Sequence, residues 1–137
     1  MDMKRPIRQY ILRKWQEEWN SPSLVNNKKY KNIHPTVEKW LSSHRPSRRE
    51  EKILSRLRIG HRNLTHKFLL EGSNPPACEH CQEQLTVEHM LIYCSALSSV
   101  RQKYHIEDMD IKFLLNDEGP IDHVISFFKD TDYYYQL

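Results

Sequence analysis

Apolar residues recur along this chain at the three- and four-residue spacing of amphipathic helices, and turn residues separate each run from the next. Strand-like alternation is scarce. The spacing predicts four helices in the first half, over residues 5–19, 34–43, 47–60 and 64–72, and shorter helices over 86–94, 97–104, 111–115 and 121–128. The predicted fold class is therefore all-α, a small bundle of short helices.

The first two predicted helices carry all three tryptophans. Trp15 and Trp19 recur on the apolar face of the first helix, and Trp40 lies on the second. Large aromatic side chains dominate the burial of small cores. We therefore expect these two helices to build a core together.

The third predicted helix carries a ridge of basic residues. It opens on a capping box, in which Ser47 and Glu50 satisfy each other's backbone amides. Arg49, Lys52 and Arg56 then fall three or four positions apart and share one face. The side chains that we predict to contact phosphate groups on a nucleic acid are Arg48, Arg49, Lys52, Arg56, Arg58 and Arg62.

Charge is segregated along the chain. Residues 1–72 hold 17 Lys and Arg against 7 Asp and Glu, whereas residues 73–137 hold 4 against 11. We divide the chain into a basic helical region (1–72), a metal-binding segment with the following helices (73–104) and an acidic helical tail (105–137). The basic region suggests a polyanion-binding surface. The alternative is that the two halves pack together so that their opposite charges cancel. A polyanion-binding surface and such packing can exist at once.

The three cysteines and one histidine form the pattern Cys78-x2-Cys81-x7-His89-x4-Cys94. A two-residue gap lets two thiolates of one turn bind the same ion, and a helix starting near Thr86 can present the other two ligands. The pattern predicts a closed Cys3His site holding one structural Zn²⁺, which stabilises a thin core.

Two alternatives to this ligand set remain open. Cys78 and Cys81 can instead be a redox pair or plain thiols, with Cys94 part of the core. His80, between the first two cysteines, can replace His89 as the fourth ligand.

The composition also argues against several classes of function. Three glycines leave no phosphate-cradling loop, and no nucleophile motif is present, so we expect no catalytic activity. The apolar runs are far shorter than the roughly 20 residues of a bilayer span, and no signal-peptide core follows Met1. We expect no membrane association and an intracellular protein, in the nucleus, the cytoplasm or both.

Several stretches of the chain resemble the C-terminal tail of jockey-like non-LTR retrotransposon polyproteins. In chain order they are SRREE at 47–51, RLRIGH at 56–61, LTH at 64–66, FLL at 68–70, PP at 75–76, CEHC at 78–81, LTVEH at 85–89, and Cys94. Residues 2–4 and WQEEWN at 15–20 are similar to the segment that follows RNase H in that family. The match is most specific over residues 47–94 and weakest after residue 104.

The resemblance implies a non-catalytic tail whose parent polyprotein is an RNA-directed DNA polymerase with RNase H. The implied partners are RNA or DNA, bound with low sequence specificity, and the reverse transcriptase and RNase H domains of the parent. The histidine spacing departs from the retroviral zinc knuckle, with seven residues after the second cysteine in place of four. The alternatives are a protein-interaction or scaffold module, which a host can retain, and a non-functional relic.

Overall fold

The chain folds into short helices joined by turns, as predicted. The computed structural model describes residues 3–22, 28–60 and 63–137, and for residues 28–30 and 63–66 it describes the backbone alone. The α-helices within these ranges are α1 (Lys4–Asn20), α2 (Lys28–Ile33), α3 (Arg48–Ile59), α4 (Asn63–Glu71), α5 (Ser98–Lys103), α6 (Ile111–Leu115) and α7 (Ile121–Lys129). Among these residues, no helix combines the length and apolar character that a bilayer crossing requires.

Shorter helical turns fill the connections between the α-helices. Among the described residues they are 3-10 turns at Leu41–Ser43, Ser95–Leu97 and Asp132–Tyr135 and a π-helix at His89–Tyr93. The described residues contain no β-sheet, only an isolated antiparallel bridge between Ala77 and Gln84.

Helix α3 begins and ends where its sequence predicts. The Ser47 hydroxyl accepts a 3.1 Å hydrogen bond from the Glu50 amide, which is the first half of the capping box. Gly60 ends the helix in the left-handed conformation, with φ of 74°, and its amide donates to the Arg56 carbonyl. The Glu50 carboxylate is used differently from the prediction, since it accepts a 2.6 Å hydrogen bond from Lys129 of α7.

The hydrophobic core draws on all three predicted regions of the chain. Helices α3, α6 and α7 and the cysteine segment all contribute side chains to it, and α3 contacts α6 directly. The buried apolar side chains are Ile33, Ile53, Leu54, Leu57, Cys78, Leu85, Val87, Met90, Leu91, Cys94, Ile106, Leu114, Leu115, Ile121, Val124, Ile125, Phe127, Phe128, Tyr134 and Leu137. The boundaries at residues 72 and 104 therefore do not separate independent cores.

The prediction that α1 helps to build a tryptophan core is wrong. The structure describes all residues of this helix and buries none of them, and 56% of the Trp15 side chain is exposed. Trp19 and Trp40 are half-buried. The helix predicted over 34–43 is wrong as well, because bends lead there into a single 3-10 turn, and α2 forms in the stretch predicted as a loop.

A buried arginine joins the basic and acidic halves of the chain. The Arg58 side chain is 4% exposed, and its guanidinium lies 3.6 Å from the Asp117 carboxylate. It also donates to the Leu115 carbonyl at 2.8 Å and stacks on Trp40 at 3.5 Å from the ring centroid. The prediction that Arg58 contacts phosphate is therefore wrong, since helical spacing turns this arginine inward.

Asp117 is held ionised by its neighbours. Burial works to raise its pKa, but hydrogen bonds from the Ser42 hydroxyl and the amides of Ser42 and Leu41, together with the Arg58 charge, bring the pKa below its ordinary value. A depressed carboxyl pKa stabilises the fold above the unfolded value of about 3.9, and this contribution is lost as pH falls through the folded value.

We predict that Asp117→Asn lowers the free energy of unfolding by about 3 kcal/mol at pH 7, because it leaves the Arg58 charge buried without its partner. Urea denaturation with zinc present measures this change. The deficit should shrink as pH falls from about 4 through the lowered folded-state pKa of Asp117, because the wild-type carboxyl then loses its charge and with it this contribution. Asp108→Asn, on an exposed turn, is the matched control and should stay within about 0.5 kcal/mol of wild type. An Asp117→Asn variant as stable as this control would contradict the assigned role.

Candidate metal centre and basic face

A tight turn presents the first two cysteines. The Cys78 amide donates to the Glu83 carbonyl at 2.8 Å, and the Gln82 amide donates back to the Cys78 carbonyl at 2.9 Å. Gln82 takes a left-handed conformation, with φ of 60°, which closes the turn. The Ala77–Gln84 bridge then fixes its base. This backbone geometry places Cys78 and Cys81 on the same side of one turn.

A π-helix presents the other two candidate ligands. Thr86 caps it as predicted, since its hydroxyl accepts a 2.9 Å hydrogen bond from the His89 amide. The Cys94 amide donates to the His89 carbonyl at 2.7 Å, a bond that spans five residues. On an α-helix, positions five apart point in different directions. The π-turn brings His89 and Cys94 to one side, and the α-helix predicted for this stretch is therefore wrong in type.

Three thiols and one imidazole meet at a single point. The sulfurs of Cys78 and Cys81 lie 3.8 Å and 3.9 Å from that of Cys94, and the four candidate ligand atoms lie within 4.8 Å of one another. Tetrahedral metal–sulfur bonds of about 2.3 Å put their sulfurs about 3.8 Å apart. The distances therefore fit one shared ion, and all three cysteines are free of disulfides.

The imidazole of His89 supports the same conclusion. Both ring nitrogens are buried and have no hydrogen-bond partner among the described residues. Nδ1 lies 3.3 Å from a carboxylate oxygen of Glu83, within ion-pair distance but without hydrogen-bond alignment. A buried polar nitrogen without a partner destabilises the fold. A bond from one nitrogen to a metal removes that cost, and Glu83 stands where it can receive the proton of the other.

The surroundings of the thiols favour different protonation states. Burial, with the neighbouring thiols of Cys78 and Cys81, raises the pKa of Cys94 to about 11. At Cys81, contact with the Ser95 hydroxyl at 3.5 Å lowers the pKa from its usual value. The buried thiol of Cys94 is therefore protonated at neutral pH until a cation takes the place of the proton.

Arg101 is a supporting residue that the sequence analysis missed. It is buried, and its guanidinium donates to the Cys94 carbonyl at 2.7 Å and to the Met90 carbonyl at 3.4 Å. These bonds satisfy carbonyls at the end of the π-helix and hold Cys94 in place. Its position in a helix with exposed polar neighbours gave no signal that this arginine points inward.

This set of four ligands suits a structural metal ion rather than one that catalyses hydrolysis. Four protein ligands fill a tetrahedral coordination shell and leave no position for a substrate or an activated water. His80 is exposed and lies outside the four-residue cluster, so the structure assembles the set with His89.

The predicted basic residues of α3 fall into distinct groups. Arg48 and Lys52 are exposed, and Arg48 pairs with Glu51 at 3.1 Å. Arg49 and Arg56 are also exposed, but both reach the C-terminal segment, residues 132–137. Arg58 is buried as described above, and Arg62 lies outside the described residues.

The C-terminal segment packs along α3 through backbone and ring contacts. Arg49 lies 5.2 Å and 5.0 Å from the ring centroids of Tyr134 and Tyr135 and is 3.5 Å from the Tyr134 carbonyl. Arg56 donates to the backbone oxygen of Leu137. Two of the arginines assigned to phosphate therefore already hold part of the fold.

Comparisons of the chain with family models, curated proteins and solved structures find no match.

We predict that Cys94→Ser and His89→Ala each abolish stoichiometric metal binding and unfold the core. Structural zinc contributes apparent free energies of about 10–16 kcal/mol in small peptides, more than a domain of this size has in reserve. Native mass spectrometry gives the metal content, and circular dichroism gives the fold. His80→Ala should keep one ion, and loss of the ion from this variant alone would reverse the ligand assignment.

We also predict that metal binding releases protons and weakens as pH falls. With a pKa of about 11, Cys94 enters the complex from its protonated form throughout the neutral range. Calorimetric titrations with Zn²⁺ in two buffers of different ionisation enthalpy count the protons released. A count of zero at pH 7.5 would contradict thiolate ligation by Cys94.

Proposed function

We propose that this chain is a non-catalytic, zinc-stabilised nucleic-acid-binding tail of a jockey-like non-LTR retrotransposon polyprotein. The observation that carries the proposal is the joint occurrence of a closed Cys3His cluster with a basic helix that keeps exposed cations. The zinc would hold the core, and the basic helix would bind phosphates of RNA or DNA.

The donor set favours zinc over other metals. Three thiolates and one imidazole suit a borderline-soft ion with no geometric preference of its own, and closed tetrahedral Cys3His sets are typical of structural zinc. Oxygen-preferring ions such as Mg²⁺ and Ca²⁺ find no carboxylate within the four-residue cluster.

The exposed cations of α3 support binding to phosphates. Arg48 and Lys52 both face solvent, and Lys67 of α4 adds a further exposed cation that pairs with Glu71 at 3.0 Å. Contacts of this kind act on the backbone of the nucleic acid and carry no sequence information. Binding should therefore be weakly selective for sequence.

The family assignment rests on the sequence motifs between residues 47 and 94. In this proposal the polymerase and ribonuclease activities belong to the parent polyprotein. The tail would help the replication complex of the element hold its RNA or its target DNA, in the nucleus or the cytoplasm.

A second candidate function is a protein-interaction module. The specific observation in its favour is α1, whose apolar side chains face solvent. This function needs no basic surface, and the two candidates therefore respond differently to charge reversal on α3.

We predict that binding to a fluorescein-labelled single-stranded RNA weakens by orders of magnitude between about 50 and 200 mM salt. The double variant Arg48→Glu, Lys52→Glu should bind more weakly at low salt. It should also lower the slope of log affinity against log salt by about 1.4, because each lost phosphate contact on a single strand removes about 0.7. Fluorescence anisotropy measures both quantities.

The control is Lys112→Glu, which changes the charge of an exposed lysine of α6 in the acidic half. It should leave the salt slope unchanged. Arg49 and Arg56 are unsuitable for this test, since reversing their charge also releases the C-terminal segment. Affinity that stays flat across the salt range, or equal losses in the α3 variant and the control, would remove nucleic-acid binding at α3.

A further inference from the structure

An exposed aromatic ring lies beside the basic helix α3. Tyr135 is 78% exposed, although its neighbour Tyr134 is buried. The two rings meet edge to face, with their centroids 5.3 Å apart. The guanidinium of Arg49 lies over the Tyr135 ring, 5.0 Å from its centroid. These contacts fix the position of the ring and leave most of its surface in solvent.

Exposed cations of α3 flank the residue that contacts this ring. Arg48 and Lys52 lie four positions apart, which is about 6 Å along the helix axis, and Arg49 lies between them in sequence. All three are exposed and share one face of the helix. A strand of phosphates that follows this face would therefore pass the Tyr135 ring as well.

The carboxylates of α3 and of residues 130–137 are mostly paired within the fold. The pairs are Glu50 with Lys129, Glu51 with Arg48 and Asp130 with Lys103. Asp132 is exposed. Among the described residues, neither Arg49 nor Lys52 takes part in an ion pair. The surface beside the ring is therefore net positive, which favours an anionic partner.

The combination of a fixed, exposed ring with neighbouring cations suits a single strand of nucleic acid. Unpaired bases stack on aromatic side chains, and a cation behind the ring strengthens the contact. Bases of a duplex are stacked on one another and are not available to the ring. Beside Tyr135, Gln136 lines an open cleft of about 400 Å³ that Phe68 and Asn74 also line, and this cleft gives a bent strand room to continue.

We infer that Tyr135 is a base-stacking residue, on which one unpaired base lies while phosphates of the same strand meet Arg48 and Lys52. The assignment rests on the proposed function and narrows its substrate class to single strands. Arg49 is a positioning residue, because it contacts the ring rather than the base. An acidic peptide fits this surface less well, since it offers anions to the cations but no base to the ring.

Fluorescence anisotropy of the zinc-loaded chain with a labelled oligouridylate of about 12 nucleotides tests the inference. Tyr135→Ala should weaken binding at least about fivefold, the lower end of what one stacked base contributes. Tyr135→Phe should bind as wild type does, whereas Tyr135→Leu, which keeps an apolar side chain without a ring, should behave as Tyr135→Ala. Zinc content and circular dichroism verify that these variants keep the fold.

The matched control is Tyr10→Ala, which removes a 54% exposed tyrosine of α1 whose ring likewise lies near an arginine, Arg13, at 5.7 Å. It should bind as wild type does. Three ligands then separate stacking from charge. The loss in Tyr135→Ala should vanish on a strand of the same ribose and phosphate units without bases, and on an oligoadenylate–oligouridylate duplex of the same length. The salt dependence should stay at the wild-type slope, because no phosphate contact is removed.

Several results would overturn the inference. They are wild-type affinity in Tyr135→Ala, a loss that persists on the strand without bases, and an equal loss in Tyr10→Ala. A polyglutamate peptide of equal charge that binds as tightly as the RNA would also overturn it, in favour of an acidic protein partner. Salt-dependent RNA binding that ignores Tyr135 removes this inference alone, whereas absence of RNA binding at about 50 mM salt removes the proposed function as well.

Discussion

The candidate metal centre of this protein depends on four side chains, from two separate turns, that meet at one point. Cys78 and Cys81 come from a turn closed by Gln82, and His89 and Cys94 come from a π-helix capped by Thr86. The same segment supplies Leu85, Val87, Met90 and Leu91 to the core. The backbone that brings the four candidate ligand atoms together therefore also places these core side chains, and binding of a metal there would be linked to folding.

The oppositely charged halves of the sequence form ion pairs with each other within the molecule. Arg45 pairs with Asp122, Arg58 with Asp117, and Lys129 with Glu50. All three pairs join the basic region to the acidic tail, and in the first two the basic region supplies the cation, as the packing alternative predicts. The remaining exposed cations of α3 are fewer than the sequence suggests, so a polyanion would meet a narrower surface than the full ridge. On α3, Glu50 and Arg58 thus pair with the acidic tail, whereas the cations that would meet a polyanion are Arg48 and Lys52.

Local signals in the sequence predicted the elements that depend on local chemistry. The Ser47 cap, the Gly60 terminus and the spacing of α7 each concern groups a few residues apart, and the structure confirms all three. The cysteine and histidine spacing also predicted the four-residue cluster. The π-turn was not predictable, because it brings together two residues five positions apart, His89 and Cys94, and helix propensity carries no information about that contact.

The failures of prediction share a different physical cause. An apolar face indicates that a helix will be covered, but it does not say by what, and α1 was therefore placed in the core. Basic spacing likewise does not tell which arginine turns inward, and Arg58 became a buried partner of Asp117. Both errors concern long-range contacts, which no window of sequence contains.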